Sequence, residues 1–404
     1  MASTSMPSTW CCRAPSAGWP RCCRGWRVTC SPAASWRAGP RAAPRSARSP
    51  AGAGVASTRE ICGADRPLAG RGGVRGFPCS PGGHVTDDPT RTPVIIDTDP
   101  GVDDLLALWA AYGCDRLEVR AVTTSYGNVP GSMTRENALR ALTRLGERSA
   151  DTLLGRGAER PLVEPGADPI HDIHGTDGLG GAADLLPLPD RLPAPVPAST
   201  VHARVLESTD RPVTIIALGP LTNVAITLAA RPDLRERIER IVMMGGGDGR
   251  GNTTAAAEFN LSCDPEAAER VFSDAVPVTM VGLDLTQSIT FDDSWLAELA
   301  ASSQTGDLAA RIARSYLAEQ RARGRTGMAL HDAVAVAALV RPELFSTRQV
   351  RVQVDHEHGA GRGATFLDPR DRPELDGRAV VTHVRSGDAP AVIGWVADSI
   401  TALG

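Results

Sequence analysis

The chain has 404 residues, of which 42% are apolar, and its formal net charge is −4. This length and apolar fraction are enough to bury a large core in one or two domains. An acidic balance without a basic patch argues against nucleic-acid binding through phosphates, and no stretch reaches the roughly eighteen uninterrupted apolar residues of a membrane helix. We therefore expect neither a nucleic acid nor a membrane as partner.

Residues 1–88 differ in composition from the rest of the chain. They contain seven of the nine cysteines and four of the seven tryptophans, and their first acidic residue is Glu60. Because they lack a helical or strand-like apolar period, we predict a disordered leader. The chain has no lysine, as very GC-rich coding would produce, so we favour an over-extended reading frame with its true start near Val85. The Arg-rich, acid-poor composition leaves a transit peptide as the alternative.

Cysteine placement bears on the cellular compartment. From residue 92 onward the chain has only Cys114 and Cys263, which offer no disulfide framework and suit a reducing cytoplasm. The cysteine pairs of the leader, Cys11-Cys12 and Cys22-Cys23, are adjacent and lack the spacing of zinc ligands. We therefore expect a cytoplasmic protein.

From residue 92, short apolar runs alternate with stretches of helical period. The runs that predict strands are residues 94–96, Leu117–Thr124, 213–218, 241–244 and Val278–Val281. The stretches that predict helices are residues 105–111, 134–145, 221–230, Pro265–Phe272, 308–323 and 329–340. This alternation predicts an α/β fold, a single domain over residues 92–404 with a mostly parallel sheet that helices cover on both faces.

Three further segments complete the predicted architecture. Residues 350–354 and 379–384 are short apolar runs that we expect to add edge strands near the C-terminus. Residues 168–197 are rich in Gly and Pro, which predicts a mobile loop over the ligand crevice. Crevices in open α/β sheets lie at the carboxyl ends of the strands, so residues that follow strands are the first candidates for a site.

An acidic turn follows the first predicted strand. The sequence PVIIDTDPGVDD at residues 93–104 contains four aspartates, Asp97, Asp99, Asp103 and Asp104. We expect all four carboxylates to converge at the end of the strand, where they would repel one another. A hard divalent cation is the usual remedy for such crowding. The alternative is a solvated acidic loop in which Asp103 and Asp104 merely complement the helix dipole.

Two other acidic motifs fit this turn less well. Asp97 and Asp99 resemble the nucleophile pair of haloacid-dehalogenase-type phosphatases, but Gly101 stands where that family expects Thr or Val. That family also usually uses a lysine to hold the phosphoryl group, and the chain has none. An EF-hand fails because Gly101 takes the fifth ligand position and Leu108 the twelfth.

The acidic turn and several later motifs resemble those of the inosine–uridine preferring nucleoside hydrolases, a family of calcium-dependent N-ribohydrolases. The resemblance extends from residue 93 to the C-terminus, and the motifs fall in the order that the family shows. Besides residues 97–104 they are Tyr126-Gly127-Asn128, Ile173-His174-Gly175, residues 218–223, 243–247, 257–260 and 264–268, and His331-Asp332. The resemblance implies the nucleoside hydrolase fold for residues 92–404.

The resemblance also implies a Ca²⁺ site. The positions that match the family's calcium ligands are Asp99, Asp104, Asp332 and the backbone carbonyl of Leu218. Water and two ribose hydroxyls would complete the six to eight oxygens that calcium requires. Taken alone, Asp332 could be an ordinary helix cap.

Catalytic roles follow from the same resemblance. Hydrolysis of an N-glycosidic bond needs a nucleophilic water, a stabilised sugar cation and a leaving base that accepts a proton. Asp99 is the expected base for a water bound to the cation, and His331 is the expected general acid for the leaving base. The positions that match the family's substrate contacts are Asp103, Asn128, His174, Met244, Asn252, Glu258, Phe259 and Asn260.

The expected reaction is hydrolysis of ribonucleosides to ribose and free base, in nucleoside salvage. The substrates would be inosine, uridine and other pyrimidine or purine ribosides, and the presence of both His174 and His331 disfavours the purine-restricted branch of the family. The resemblance implies a homodimer or homotetramer. A homologue that binds nucleoside or calcium without turnover remains the alternative.

Overall fold

Parallel strands and helices alternate along the part of the chain that the computed structural model describes, residues 90–163, 171–370 and 377–404. The predicted leader lies outside these residues. The strands are β1 Thr92–Thr98, β2 Leu117–Thr124, β3 Leu153–Arg156, β4 Val196–Pro197, β5 Val213–Ala217, β6 Ile238–Met244, β7 Val278–Val281, β8 Thr290–Phe291, β9 Met328–Ala329, β10 Phe345–Val354, β11 Thr365–Asp368 and β12 Val381–Gly387. The helices are α1 Val102–Gly113, α2 Gly131–Leu145, α3 His171–His174, α4 Ala198–Ser208, α5 Thr222–Ala230, α6 Phe259–Cys263, α7 Pro265–Phe272, α8 Leu283–Thr286, α9 Asp293–Ser302, α10 Gln304–Ala322, α11 His331–Val340 and α12 Ala389–Thr401.

Ten of these strands form one sheet in the order β11-β10-β12-β7-β6-β5-β1-β2-β3-β4. All neighbours pair in parallel except β10, which is antiparallel to both β11 and β12. The strands β8 and β9 pair separately as a short antiparallel ribbon. The predicted fold class, a mostly parallel α/β sheet, is confirmed.

Helices cover both faces of the sheet, because successive side chains of a strand point to opposite faces. In β1, Ile96 joins a core that includes Trp109 of α1 and Val334 of α11. Its neighbour Ile95 joins a second core that includes Phe272 of α7. A strand that is buried on both faces has no polar alternation, which explains the continuous apolar run at the start of the acidic turn.

The prediction of the C-terminal edge was wrong. The run at residues 379–384 was expected to lie at an edge, but β12 lies inside the sheet between β7 and β10. The edge strand is β11, which the sequence analysis missed because four residues, TFLD, carry too little periodicity. β10 is the second strand from that edge rather than the edge itself.

The Gly- and Pro-rich segment was predicted to be a mobile loop, and part of that segment lies outside the described residues. The described part contains α3 and β4, and its side chains Leu179 and Leu186 are fully buried in the core that includes Trp109. This part therefore packs against the domain. Among the described helices, none combines the length and apolarity that a membrane crossing needs.

Asp97 is directed away from the other aspartates of the acidic turn, contrary to the expected convergence of all four. It shares a face of β1 with Ile95, and its carboxylate is buried on that face of the sheet. The Thr123 hydroxyl donates to Asp97 at 2.5 Å, and the Asn223 amide donates at 3.0 Å. His202 lies 3.6 Å from the same carboxylate and also contacts Thr123. Asp97 thus fixes the end of β1 through a buried polar network.

We predict that Asp97→Ala lowers the free energy of unfolding by about 2 kcal/mol or more, because it leaves the buried donors of Thr123 and Asn223 without their acceptor. Urea unfolding followed by circular dichroism measures the change. The control Asp190→Ala removes an exposed carboxylate and should change the free energy by about 0.5 kcal/mol or less. Equal midpoints for the two variants would show that the network adds nothing to stability.

Candidate metal and sugar-binding site

One pocket lies at the carboxyl ends of β1, β2, β5 and β6, beside the N-termini of α1 and α11. The empty space in it, including the opening to solvent, is about 780 Å³. The sequence-predicted residues that line it are Asp103, Asn128, His174, Leu218, Met244, Asn252, Glu258, Phe259, Asn260, His331 and Asp332. These residues come from eight separate stretches of the chain, and the fold brings them to one cavity.

Buried carboxylates from distant parts of the chain meet at one end of this pocket. Asp103, Asp104 and Asp332 each place a carboxylate oxygen within 4.8 Å of the others, and all three side chains are buried. Asp103 and Asp104 belong to the first turn of α1, whereas Asp332 belongs to the first turn of α11. The sequence analysis assigned Asp103 to ribose, and the structure also places it in this carboxylate group.

The protonation of these groups reflects their crowding. Burial raises the pKa of Asp99 and of Asp332 well above the ordinary value, and the charges of the neighbouring carboxylates raise both further. The pKa of Asp104 is raised by the same two causes, and burial raises that of Asp103 to about 6. Buried acids are stable in their charged form only with a compensating cation or hydrogen bonds.

A divalent cation fits the donor set of this cluster. Among the described residues, the buried Oδ1 atoms of Asp99 and Asp103 have no hydrogen-bond partner. Unpaired carboxylate oxygens in a buried cluster are the hard ligands that cations such as calcium prefer. The residues present are therefore suited to hold a metal ion, as the sequence analysis expected.

Hydrogen bonds fix the orientation of Asp104. The Thr98 hydroxyl donates to its Oδ1 atom, and the backbone N–H of Gly101 donates to Oδ2 at 2.9 Å. The Asn128 amide nitrogen donates to Oδ2 at 2.9 Å and also to the backbone carbonyl of Asp99 at 3.1 Å. Asn128 therefore links two of the predicted metal ligands, which is a contact that its expected ribose role did not include.

Two glycines allow Asp99 to sit where it does. A Cβ atom at Gly127 would lie 2.0 Å from Asp99 Oδ2, and one at Gly219 would lie 2.3 Å from Oδ1. No side chain can occupy such space, so both glycines permit the backbone to enclose the carboxylate. The backbone N–H of Asn128 donates to Oδ2 at 2.7 Å. The Tyr-Gly-Asn and Leu-Gly-Pro motifs thus contribute backbone walls to the site.

A buried glutamate also lines the pocket. Glu258 precedes α6 and accepts hydrogen bonds from the backbone N–H groups of Gly246 and Asn260, each at 2.9 Å. Burial raises its pKa to about 7. The Asn260 amide donates to the carbonyls of Leu218 at 2.7 Å and Met244 at 3.2 Å. The predicted ligand carbonyl of Leu218 is therefore held beside the sugar-binding candidates.

The remaining predicted substrate contacts, Met244, Phe259 and Asn252, line the same pocket. Met244 and Phe259 are buried and face the cavity. Asn252 is exposed at the rim, and its Oδ1 atom accepts from the backbone N–H of Phe259 at 2.9 Å. This hydrogen bond holds the rim loop against α6.

Two histidines face the pocket from different elements. His331 begins α11, and its Nδ1 atom lies 2.8 Å from the Thr286 hydroxyl. The His174 ring is buried, accepts at Nδ1 from the backbone N–H of Val102 at 3.3 Å and packs 5.1 Å from the Tyr316 ring. Burial lowers the pKa of each histidine to about 4. At neutral pH both rings are therefore uncharged in this site.

Four residues that were not predicted from the sequence also line the pocket, namely Gln287, Gln320, Arg323 and Arg325. Gln320 is buried, and its Oε1 atom has no hydrogen-bond partner among the described residues. It lies four residues after Tyr316 on α10, so the two share one helix face. Helical periodicity from Tyr316 could have indicated Gln320, whereas nothing in the sequence indicated Gln287.

Comparison with known proteins gives a consistent result. The family model described as "Inosine-uridine preferring nucleoside hydrolase" matches residues 94–393. The chain is 38% identical over 305 residues to the non-specific ribonucleoside hydrolase RihC of Salmonella agona, covering 76% of this chain and 96% of the relative. It is 39% identical over 279 residues to the pyrimidine-specific ribonucleoside hydrolase RihA of Shewanella woodyi, covering 68% and 88%.

Solved structures show the same likeness. A purine-preferring ribonucleoside hydrolase from Gardnerella vaginalis superposes with a TM-score of 0.71 at 28% identity, covering 77% of this chain and 99% of that one. A plant nucleoside hydrolase superposes with a TM-score of 0.70 at 31% identity, with the same coverage. The base preferences that these proteins' names state differ, so the likeness extends across several specificities.

We predict that Gly219→Ala displaces the Asp99 carboxylate and lowers catalytic turnover by about 10²-fold, because a shift of about 1 Å in a reacting group has an effect of that size. The matched control is Gly394→Ala in α12, where a Cβ meets no atom within 4 Å. That variant should retain turnover and gain stability, since alanine favours a helix. Similar turnover for the two variants would contradict the enclosure of Asp99 by glycine.

Proposed function

The chain belongs to the inosine–uridine preferring nucleoside hydrolase family, and from that premise we propose how its pocket carries out the reaction. The protein is an enzyme that hydrolyses the N-glycosidic bond of ribonucleosides to ribose and free base. We assign this reaction to residues 92–404 as the catalytic domain. One observation carries the assignment of the site: buried carboxylates of α1 and α11 meet in a cavity that also contains Glu258, Asn260 and two histidines.

We propose that Asp99, Asp104, Asp332 and the backbone carbonyl of Leu218 hold Ca²⁺. The support is the buried carboxylate group of Asp103, Asp104 and Asp332, which includes two of these ligands. Asp99 is outside that group, but its buried Oδ1 atom is unpaired and the charges of Asp103 and Asp104 act on it. When bound, calcium would supply positive charge that stabilises these carboxylates in their ionised form and lowers the pKa of an attacking water. Thr98 and Asn128 hold Asp104 in the orientation that this role needs.

Ribose binding is the proposed task of the carboxylates and amides around the cavity. Asp103 has an unpaired buried Oδ1 atom that can accept from a sugar hydroxyl. Glu258 is fixed by three backbone N–H groups and can accept from another hydroxyl when ionised. Asn128, Asn252 and Asn260 are assigned to the same sugar, while Met244 and Phe259 pack beside it. Several directed hydrogen bonds orient the ring and restrict it to a reactive geometry.

Asp99 is the proposed general base. Its carboxylate is buried and enclosed by backbone, and its unpaired Oδ1 atom can accept a proton from water. As the glycosidic bond breaks, its electron pair moves onto the nucleobase and positive charge develops on the sugar. The water oxygen then bonds to the anomeric carbon, and Asp99 would accept the proton that the water loses.

His331 is the proposed general acid for the leaving nucleobase, and His174 is assigned to a position near that base. Both rings line the pocket, and each has one ring nitrogen occupied by a neighbouring group. Because neutral imidazole carries one ring hydrogen, each histidine can present an N–H to the base. The presence of both histidines favours a broad range that includes inosine, uridine and other pyrimidine or purine ribosides.

We further infer a role in nucleoside salvage, a cytoplasmic location and a homodimer or homotetramer. The location is inferred from the sparse cysteines of the domain, Cys114 and Cys263, which are both buried. The oligomer follows only from the family, and sedimentation analysis measures it.

The reaction is tested with uridine, inosine and cytidine, with released ribose measured by a reducing-sugar assay. We expect ribose from at least one substrate, and a loss of about 10³-fold or more in Asp99→Ala because activation of the water depends on this carboxylate. Asp190→Ala, which changes an exposed carboxylate, is the control. Binding without ribose release would identify a non-catalytic homologue, and phosphate release from sugar phosphates would identify a phosphatase.

Calcium binding is tested by thermal unfolding with calcium and with a chelator. At calcium about 100-fold above the Kd we expect a stabilisation of about 2.7 kcal/mol, because the ion binds only the folded site. Asp332→Asn removes a proposed ligand and one source of repulsion. It should therefore lose the calcium-dependent shift while remaining at least as stable as the wild type in chelator. A normal shift in Asp332→Asn would rule out this residue as a ligand.

A further inference from the structure

Thr286 and His331 form a contact that the proposed mechanism does not use. The Thr286 hydroxyl lies 2.8 Å from His331 Nδ1, and the threonine side chain is completely buried. Thr286 is the last residue of α8, the short helix that follows β7. It is not among the residues that line the pocket that His331 faces. The threonine therefore approaches the ring from the protein side, while the ring faces the cavity.

A short backbone frame holds this contact in place. The chain after α8 pairs with the chain before α11 through the ribbon of β8 and β9, where Thr290 is opposite Ala329. The backbone N–H of Leu330 donates to the Ile289 carbonyl at 3.0 Å. These pairings join the chain just after Thr286 to the residue before His331, so they hold the two backbone segments close together.

The hydrogen-bond partners indicate which ring nitrogen carries hydrogen. A threonine hydroxyl has one proton to donate, and among the described residues His331 Nδ1 is the partner that the Thr286 hydroxyl contacts. If the hydroxyl donates to Nδ1, that nitrogen is the acceptor, and the ring hydrogen belongs on Nε2. Second-sphere partners commonly fix a histidine tautomer in this way.

We propose that Thr286 is a positioning residue that orients the His331 ring and keeps its hydrogen on Nε2, toward the leaving nucleobase. The inference rests on the proposed role of His331 as the acid. When the glycosidic bond breaks, its electron pair moves onto a nucleobase nitrogen, and the Nε2–H of His331 donates a hydrogen bond that stabilises the developing charge while the proton stays on the ring. Without the hydroxyl the ring can rotate or adopt the other tautomer, which presents an acceptor to the base.

The test compares Thr286→Val, Thr286→Ser and the wild type on two substrates that differ in their need for an acid. Uridine has a poor leaving group, whereas para-nitrophenyl riboside releases a stable nitrophenolate without protonation. Because a positioned acid contributes about 10²- to 10⁴-fold, we expect Thr286→Val to lower kcat on uridine by about 10- to 100-fold. Its kcat on the nitrophenyl riboside should stay within about 2-fold, and Thr286→Ser should restore uridine turnover because it keeps the hydroxyl.

Two controls separate positioning from general damage. Thr209→Val removes another buried hydroxyl, which donates to the Val205 carbonyl. This variant should leave the ratio of the activities on uridine and on the nitrophenyl riboside unchanged. In a His331→Ala background, Thr286→Val should add no further loss on uridine, since the two changes act through one ring. Equal losses on both substrates in Thr286→Val, or no loss on uridine, would overturn the proposal.

A measurement on the wild type avoids dependence on variant folding. Nitrogen-15 spectra of histidine-labelled protein report the tautomer, and His331→Ala identifies the signal. Hydrogen on Nε2 is expected, and hydrogen on Nδ1 would overturn the proposal. Failure of the wild type to hydrolyse either riboside would instead contradict the proposed function, so the two failures are distinguishable.

Discussion

Repulsion among buried carboxylates is the constraint on which the site depends. Asp103, Asp104 and Asp332 converge within 4.8 Å, and burial together with their mutual charges raises the pKa values of Asp104 and Asp332. A fold that only needed stability would not keep ionisable groups in this arrangement. The cluster therefore indicates that the pocket is built for a positively charged ligand, and a cation that satisfies it would also lower the free energy of the folded state.

The surrounding structure serves to hold these groups in place. Thr98 and Asn128 orient Asp104, while Gly127 and Gly219 provide the space that Asp99 occupies. The backbone N–H groups of Gly246 and Asn260 hold the Glu258 carboxylate in place. Most of these partners are backbone atoms at strand ends or in the first turns of helices. Such atoms move little, so the geometry of the site follows from the geometry of the sheet.

The different roles of Asp97 and Asp99 follow from where β1 ends. Asp97 is still in β1 and lies on the face of the sheet that carries Ile95, where it contacts Thr123 and His202. Asp99 lies past the end of the strand, where the chain turns toward the pocket. The first aspartate thus anchors the sheet, and the later ones form the site. The part of the acidic turn within β1 is therefore hydrogen-bonded into the sheet, whereas the residues after Thr98 lead to the cavity.

The sequence alone determined the fold class and the acidic turn, because buried parallel strands and Gly-containing motifs leave local patterns that survive in one chain. Through the motifs that resemble the family, it also indicated most of the residues that line the cavity. It did not determine that β12 is internal or that Asp97 is withdrawn from the cluster, since both depend on which elements pack together. It likewise gave no sign of Gln287 or of the contact between Thr286 and His331. Thr286 and His331 are far apart in the chain and carry no common pattern, so only the tertiary structure could bring them together.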